Sequence, residues 1–164
     1  YPITAVLGKK NIMKFERKTF ISSTFWTERL GYVAALSTLK FMQKNKSQKK
    51  INLIGKYIKT KWEYLAKKYD LKIRILGLDA IPNFNFIDKF NQKAITYITQ
   101  EMLKEKILAS NVIYVSIAHK KKYVDKYLRK LEKIFKFISS LKNKNDISKF
   151  LKSKERQSEL KRYN

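Results

Sequence analysis

The residue types best suited to chemistry gather in one stretch, TFISSTFWTERL at residues 19–30. A short β-prone run, Phe20-Ile21, gives way to Ser22-Ser23-Thr24, two aromatics follow, and a helix is predicted to open near Thr27. Hydroxyls at the end of a strand and just ahead of a helix bring together side-chain O–H donors, backbone N–H groups and the positive end of a helix dipole. That combination binds anions, phosphate above all. The plainer reading of Ser and Thr before a helix is an N-cap. Glu28-Arg29 reads as a solvated opposite-charge pair at the helix start rather than a substrate contact.

Other candidates are weaker. Lys9 and Lys10 follow Gly8 as an exposed turn, whereas an amine that attacks and leaves must have its pKa lowered by desolvation. His119 sits between a strand and a helix, where histidine caps or packs, and it is assigned no chemistry. There is no cysteine, which removes disulfides, thiol nucleophiles and cysteine metal sites, and a single histidine excludes a multi-histidine centre.

The formal charge is +25, carried by 38 Lys and Arg of which only 6 are Arg. Such an excess points to nucleic acid or an anionic surface. Phosphate and base recognition favour the planar fork of Arg, however. The lysines are spread over every predicted helix and rise together with Ile, Asn, Tyr and Phe, as AT-rich coding would produce. The tyrosines and phenylalanines fall at helix and strand periods and read as core before base-stacking platforms. A solvated lysine surface is therefore preferred to a nucleic-acid or membrane-binding module. No apolar run approaches a membrane span and no signal peptide is visible, so the chain is read as cytoplasmic.

The elements that must position the hydroxyls follow from periodicity. Residues 1–7, YPITAVL, read as a strand, residues 9–15 as one helical turn, and residues 19–24 as a second strand and turn. The helix from Thr27, its predicted N-cap, runs to about Lys44 with Gly31, Ala34, Ala35, Ser37 and Thr38 among its apolar residues, which suggests close packing against another backbone. QKNKSQKK at 43–50 is a polar linker. Ile51, Ile54, Ile58, Trp62, Leu65 and Tyr69 then mark a long helix. Strands are expected over 71–78, 83–87 and 112–117, the middle one after Pro82, with a helix over 91–106 that buries Ala94, Ile95, Ile98 and Met102. A last helix carries Val124, Leu128, Leu131, Phe135 and Ile138, flanked by Tyr127 and Ile134. Residues 51–141 thus form a small α+β domain of about three mainly antiparallel strands covered by helices. Residues 1–50 read as an orphaned piece of a larger domain and 142–164 as a lysine-rich surface tail, in preference to a short helix at Ile147–Leu151.

Three separated motifs, YPITAVLGKKNIM, FISSTFWTERLGYVAALSTL, and QEMLKEKILAS…YVSIAH…VDKYLRKLEKIF, resemble the C-terminal part of a class III aminotransferase, in its glutamate semialdehyde aminomutase-like branch. The resemblance covers nearly the whole chain and implies a homodimeric fold-type-I enzyme that uses pyridoxal 5′-phosphate (PLP) on an amino acid or amino-sugar-like substrate. It further implies that residues 1–50 end the PLP-binding domain and that the Schiff-base lysine lies before Tyr1, which would leave this piece inactive alone. The family's phosphate-binding Ser/Gly-Thr falls at Ser23-Thr24, where Thr24 would reach a neighbouring subunit's cofactor. Ser23 stands where glycine is common, and Trp26-Thr27-Glu28-Arg29 replaces the family's Gly-Asn-Pro turn with a bulkier, charged loop.

Overall fold

The computed structural model describes residues 3–20, 24 and 28–157. The chain divides into two compact units, 1–47 and 48–164.

In the first unit, residues 3–9 form no regular element, and α1 (Lys10–Met13) runs into a 3-10 helix, Lys14–Lys18. The Thr19 hydroxyl donates to Glu16 O at 2.9 Å and closes that turn. The strand expected over 1–7 is not formed by residues 3–7, and residues 1–2 lie outside the described set. Among the described residues no segment pairs with this β-prone run, so its N–H and C=O groups join no ladder there. Of the second expected strand, Thr19 and Phe20 are irregular and residues 21–23 lie outside the described set.

Helix α2 (Arg29–Asn45) starts later than predicted. Its N-cap is Glu28, not Thr27 (a residue outside the described set), and the Glu28 side chain makes no cap bond. Gly31 is its one buried residue. Leu30, Val33, Leu36 and Leu39 are each about 60% exposed. Of the small residues, Gly31 is buried and Ala34 and Ala35 are half-buried, while those four apolar side chains stay exposed.

The linker expected at 43–50 is instead helical almost throughout. Gln and Lys are good helix formers, and a single left-handed residue, Lys46 (φ 51°), separates α2 from α3 (Ser47–Lys68).

The second unit is built on α3, α4 (Asn91–Lys104), α5 (Lys121–Ser140) and a two-stranded antiparallel sheet, β1 (Ile73–Leu76) and β2 (Asn83–Phe86). The apolar stripes read from periodicity go inward: Ile58, Trp62 and Leu65 on α3, Ala94, Ile95, Ile98 and Met102 on α4, and all seven predicted positions on α5. Phe84 is the hub, with its ring centroid 4.8 Å from that of Trp62 and 6.0 Å from that of Phe135. Such edge-to-face contacts add to area burial in fixing one arrangement of large side chains.

The third strand is reduced to one bridge, Asn83↔Val112. Phe84 N donates to Asn111 O and Ile113 N to Pro82 O, and further along Val115 N donates to Ala80 O, each at 3.0 Å. The register is that of an antiparallel strand. Its next rung needs a donor at residue 82, and proline has none, so the ladder stops there.

Two features hold the β1–β2 connection. Gly77 takes φ +81°, open to glycine and strained for other residues. Gly55 on α3 lets the connection lie directly on the helix, since a Cβ there would fall 1.6 Å from Asp79 O. Lys59 then reaches over to donate to Gly77 O at 2.7 Å and to pair with Asp79 at 2.9 Å.

The segment read as a surface tail is fastened as far as residue 156. A 3-10 helix, Lys144–Phe150, buries Ile147 completely. Gln100 on α4 accepts from Lys152 N at 2.7 Å, and Arg156 donates to Ser110 Oγ at 3.0 Å and Asn111 Oδ1 at 2.8 Å.

Candidate functional site

The candidate anion site lies in the first unit. Ser23 falls outside the described residues; Thr24 is described, in an exposed turn. Thr24 is not the cap of α2, because that helix begins at Arg29 with Glu28 at the N-cap. The plain capping role weighed for this threonine is thus excluded for α2. The Glu28 side chain makes no cap bond and the first turn of α2 holds no acidic residue, so no first-turn carboxylate offsets the positive end of the helix dipole.

Two charges frame that end. Arg29, the first helical residue, favours an anion, whereas Glu28 opposes one. One Glu28 carboxylate oxygen is buried with no hydrogen-bond partner. Burying an unmatched carboxylate oxygen is costly, so a donor brought to this helix end would relieve it.

Lys9 and Lys10 are exposed at the start of α1, and among the described residues no lysine is buried. None has the desolvated setting that turns an ammonium into a usable nucleophile at neutral pH.

His119 has a partner that the sequence reading passes over. Ser116, three residues earlier, donates its backbone N–H to Nδ1 at 3.0 Å, and its hydroxyl lies 3.0 Å from the same nitrogen. Ala118 N donates to Ser116 Oγ at 3.3 Å. An Nδ1 that accepts a backbone N–H carries no proton in the neutral ring, so the proton is on Nε2. The S-x-x-H spacing, at the end of a β-prone run, was the available signal. With no carboxylate on the ring among the described residues, the pair ties a turn and does not form a triad.

The perturbed ionisable groups on the α3–α5 seam are structural ties. Tyr57 donates to Asp125 at 2.8 Å, and Lys121 pairs with the same carboxylate at 2.7 Å. Those bonds hold Asp125 below the usual carboxylate range, Lys121 contributing most, and raise the Tyr57 phenol. Glu132 is held down in the same way by Lys68 at 2.6 Å, with Tyr69 adding a second bond at 3.1 Å. Among the described residues no cluster of His, Asp and Glu could hold a metal ion, and no helix is long and apolar enough to cross a membrane.

No protein-family model matches this chain. It is similar to the aminopentol aminotransferase of Sphingopyxis macrogoltabida, at 24% identity over 88 residues that make up 54% of this chain and 21% of that protein. Among solved structures it is similar to the PLP internal aldimine form of the FumI protein of Sphingopyxis sp. MTA144. That match has a TM-score of 0.68 at 19% identity, covering 86% of this chain and 36% of the other. The structural likeness establishes the fold: a helix-rich α+β arrangement found within that larger protein. The chain spans about a fifth of the aminotransferase it matches in sequence.

Proposed function

We propose that this chain is the C-terminal portion of a PLP-dependent aminotransferase or aminomutase of class III, in the glutamate semialdehyde aminomutase-like branch. The observation that carries the reading is the fold likeness over 86% of the chain to a structure described as a PLP internal aldimine form. The order of the three sequence motifs supports it independently.

The residues present fit the phosphate end of that cofactor. The Thr24 hydroxyl and amide donate to phosphate oxygens, the positive end of the α2 dipole lies four residues on in sequence, and the Ser23 amide lends a further donor. Such bonds to an anion are worth roughly 1.5–3 kcal/mol each. They reach the cofactor of a neighbouring subunit, which makes the parent a homodimer and gives the bare face of α2 a partner. The cofactor itself supplies an electron sink at Cα of an amino substrate. Its lysine comes from the remainder of the parent protein, in keeping with the lack of a buried lysine among the described residues. The second unit is the small domain that closes over a small amino substrate, and the parent works in the cytoplasm.

A stand-alone lysine-rich module for nucleic acid or an anionic surface is the lesser reading. Lysines occur on each of the five helices, not on one of them.

The test is the parent polypeptide. Expressed whole, it acquires the visible absorbance of bound PLP and moves an amino group; the 164-residue chain alone does neither. A whole protein that neither binds PLP nor transfers an amino group overturns the proposal.

A further inference from the structure

A second site lies wholly within the 48–164 unit. The residues after α4 and the start of α5 enclose a cleft of about 490 Å³, floored by Ile58, Ile107, Val112 and Val124. That volume falls in the roughly 300–1,000 Å³ range of small-molecule sites. Around the apolar floor stand hydrogen-bond donors, and no Asp or Glu lines the cleft.

Tyr127 is buried, and its hydroxyl oxygen accepts from Trp62 Nε1 at 3.1 Å. Its own proton meets no acceptor among the described residues. Burial raises the phenol pKa far above neutrality, so the proton stays in place. His119 also lines the cleft. With Nδ1 committed to Ser116, its remaining ring donor is Nε2–H. Lys126 has only a long 3.5 Å contact to Glu105 O, and Lys106 has no ion-pair partner among the described residues. The nearby carboxylate of Glu105 pairs with Lys130 at 3.3 Å.

An apolar floor with a neutral O–H, a ring N–H and two ammonium groups calls for a ligand with an apolar body and an anionic end. We propose that this cleft binds a small monocarboxylate with an aliphatic body, its carboxylate held by Lys126, Lys106 and the Tyr127 hydroxyl. The reasoning needs no cofactor and stands apart from the aminotransferase reading.

The experiment uses the full 164-residue chain, isotope-labelled for amide NMR, titrated with decanoate, decyltrimethylammonium and acetate at submicellar concentrations. Decanoate is expected to bind saturably and to move the amides of residues 107–114 and 119–127. Acetate lacks the apolar body and decyltrimethylammonium lacks the anion, so both are expected to bind at least about 10-fold more weakly. The variant Lys106→Gln/Lys126→Gln, altered only at exposed positions, is expected to weaken decanoate about 10-fold, and Lys106→Arg/Lys126→Arg to restore it. Equal binding of the cationic probe, unchanged binding by the glutamine variant, or amide shifts elsewhere in the chain would each overturn the proposal.

Discussion

Gly55→Ala is the most informative single change in the second unit, because two ordinary rules give it opposite signs. In a solvent-exposed helix interior, replacing Gly by Ala stabilises by about 1 kcal/mol. Here the new Cβ would lie 1.6 Å from Asp79 O and 2.5 Å from the Asp79 carbonyl carbon, and both are backbone atoms that no rotamer change can move. Relief requires shifting the β1–β2 connection off α3. That also disturbs the Lys59 bond to Gly77 O and the Lys59–Asp79 pair. Overpacking of this kind costs about 1–3 kcal/mol, and one disturbed hydrogen bond adds about 1 kcal/mol. Set against the propensity gain, the expected net is a loss of about 2 kcal/mol. With a urea slope of about 1–3 kcal/mol per molar, the unfolding midpoint drops by about 1 M, read from the fluorescence of buried Trp62 and from far-UV circular dichroism. Leu53→Ala, at an exposed position two residues away on the same helix, is the control and stays near neutral. A Gly55→Ala protein about 1 kcal/mol more stable than the parent chain would refute the close approach of helix and loop.

Two further outcomes follow from the same structure. Pro82→Ala supplies the missing N–H opposite Ile113, so hydrogen exchange should show a protected amide at residue 82; an amide there that exchanges as fast as an open loop contradicts the account of the broken third strand. Asp125 and Glu132 are both held below their ordinary values of 3.8 and 4.5. Their contribution is therefore present above the unfolded-state values and lost as pH falls through the lower folded ones. Denaturant midpoints should fall between pH 5 and pH 3 more steeply for the parent chain than for Asp125→Asn/Glu132→Gln, and parallel curves would contradict it.

The second unit was legible because its helices carry long 3.6-residue stripes whose burial depends on nothing outside the unit. Ile98, Met102, Leu131 and Phe135 could be placed inside from spacing alone. Helix ends were harder to read. The chain that follows α3 turns at Asp70 (φ 49°) and the chain that follows α4 at Lys106 (φ 58°), both left-handed, where glycine is the usual signal. The third strand was over-read because its apolar run gives no hint that the facing residue, Pro82, lacks a donor. Residues 144–156 were under-read because one buried isoleucine and scattered polar bonds leave no period. Residues 3–7 are β-prone with no strand partner among the described residues, a condition that sequence cannot display. As for the candidate site, the sequence pointed to hydroxyls and a helix start. The cap residue then lies one position further along than expected, at Glu28 in place of Thr27, with Arg29 the first helical residue.

The central claim, that Thr24 grips the phosphate of a cofactor held by a neighbouring subunit, is tested most directly in the whole parent protein by the PLP dissociation constant of Thr24→Ala. Loss of a charge-assisted hydrogen bond worth roughly 1.5–3 kcal/mol predicts an affinity about 10- to 100-fold weaker, with the dimer intact. An unchanged dissociation constant in an intact dimer would contradict the claim.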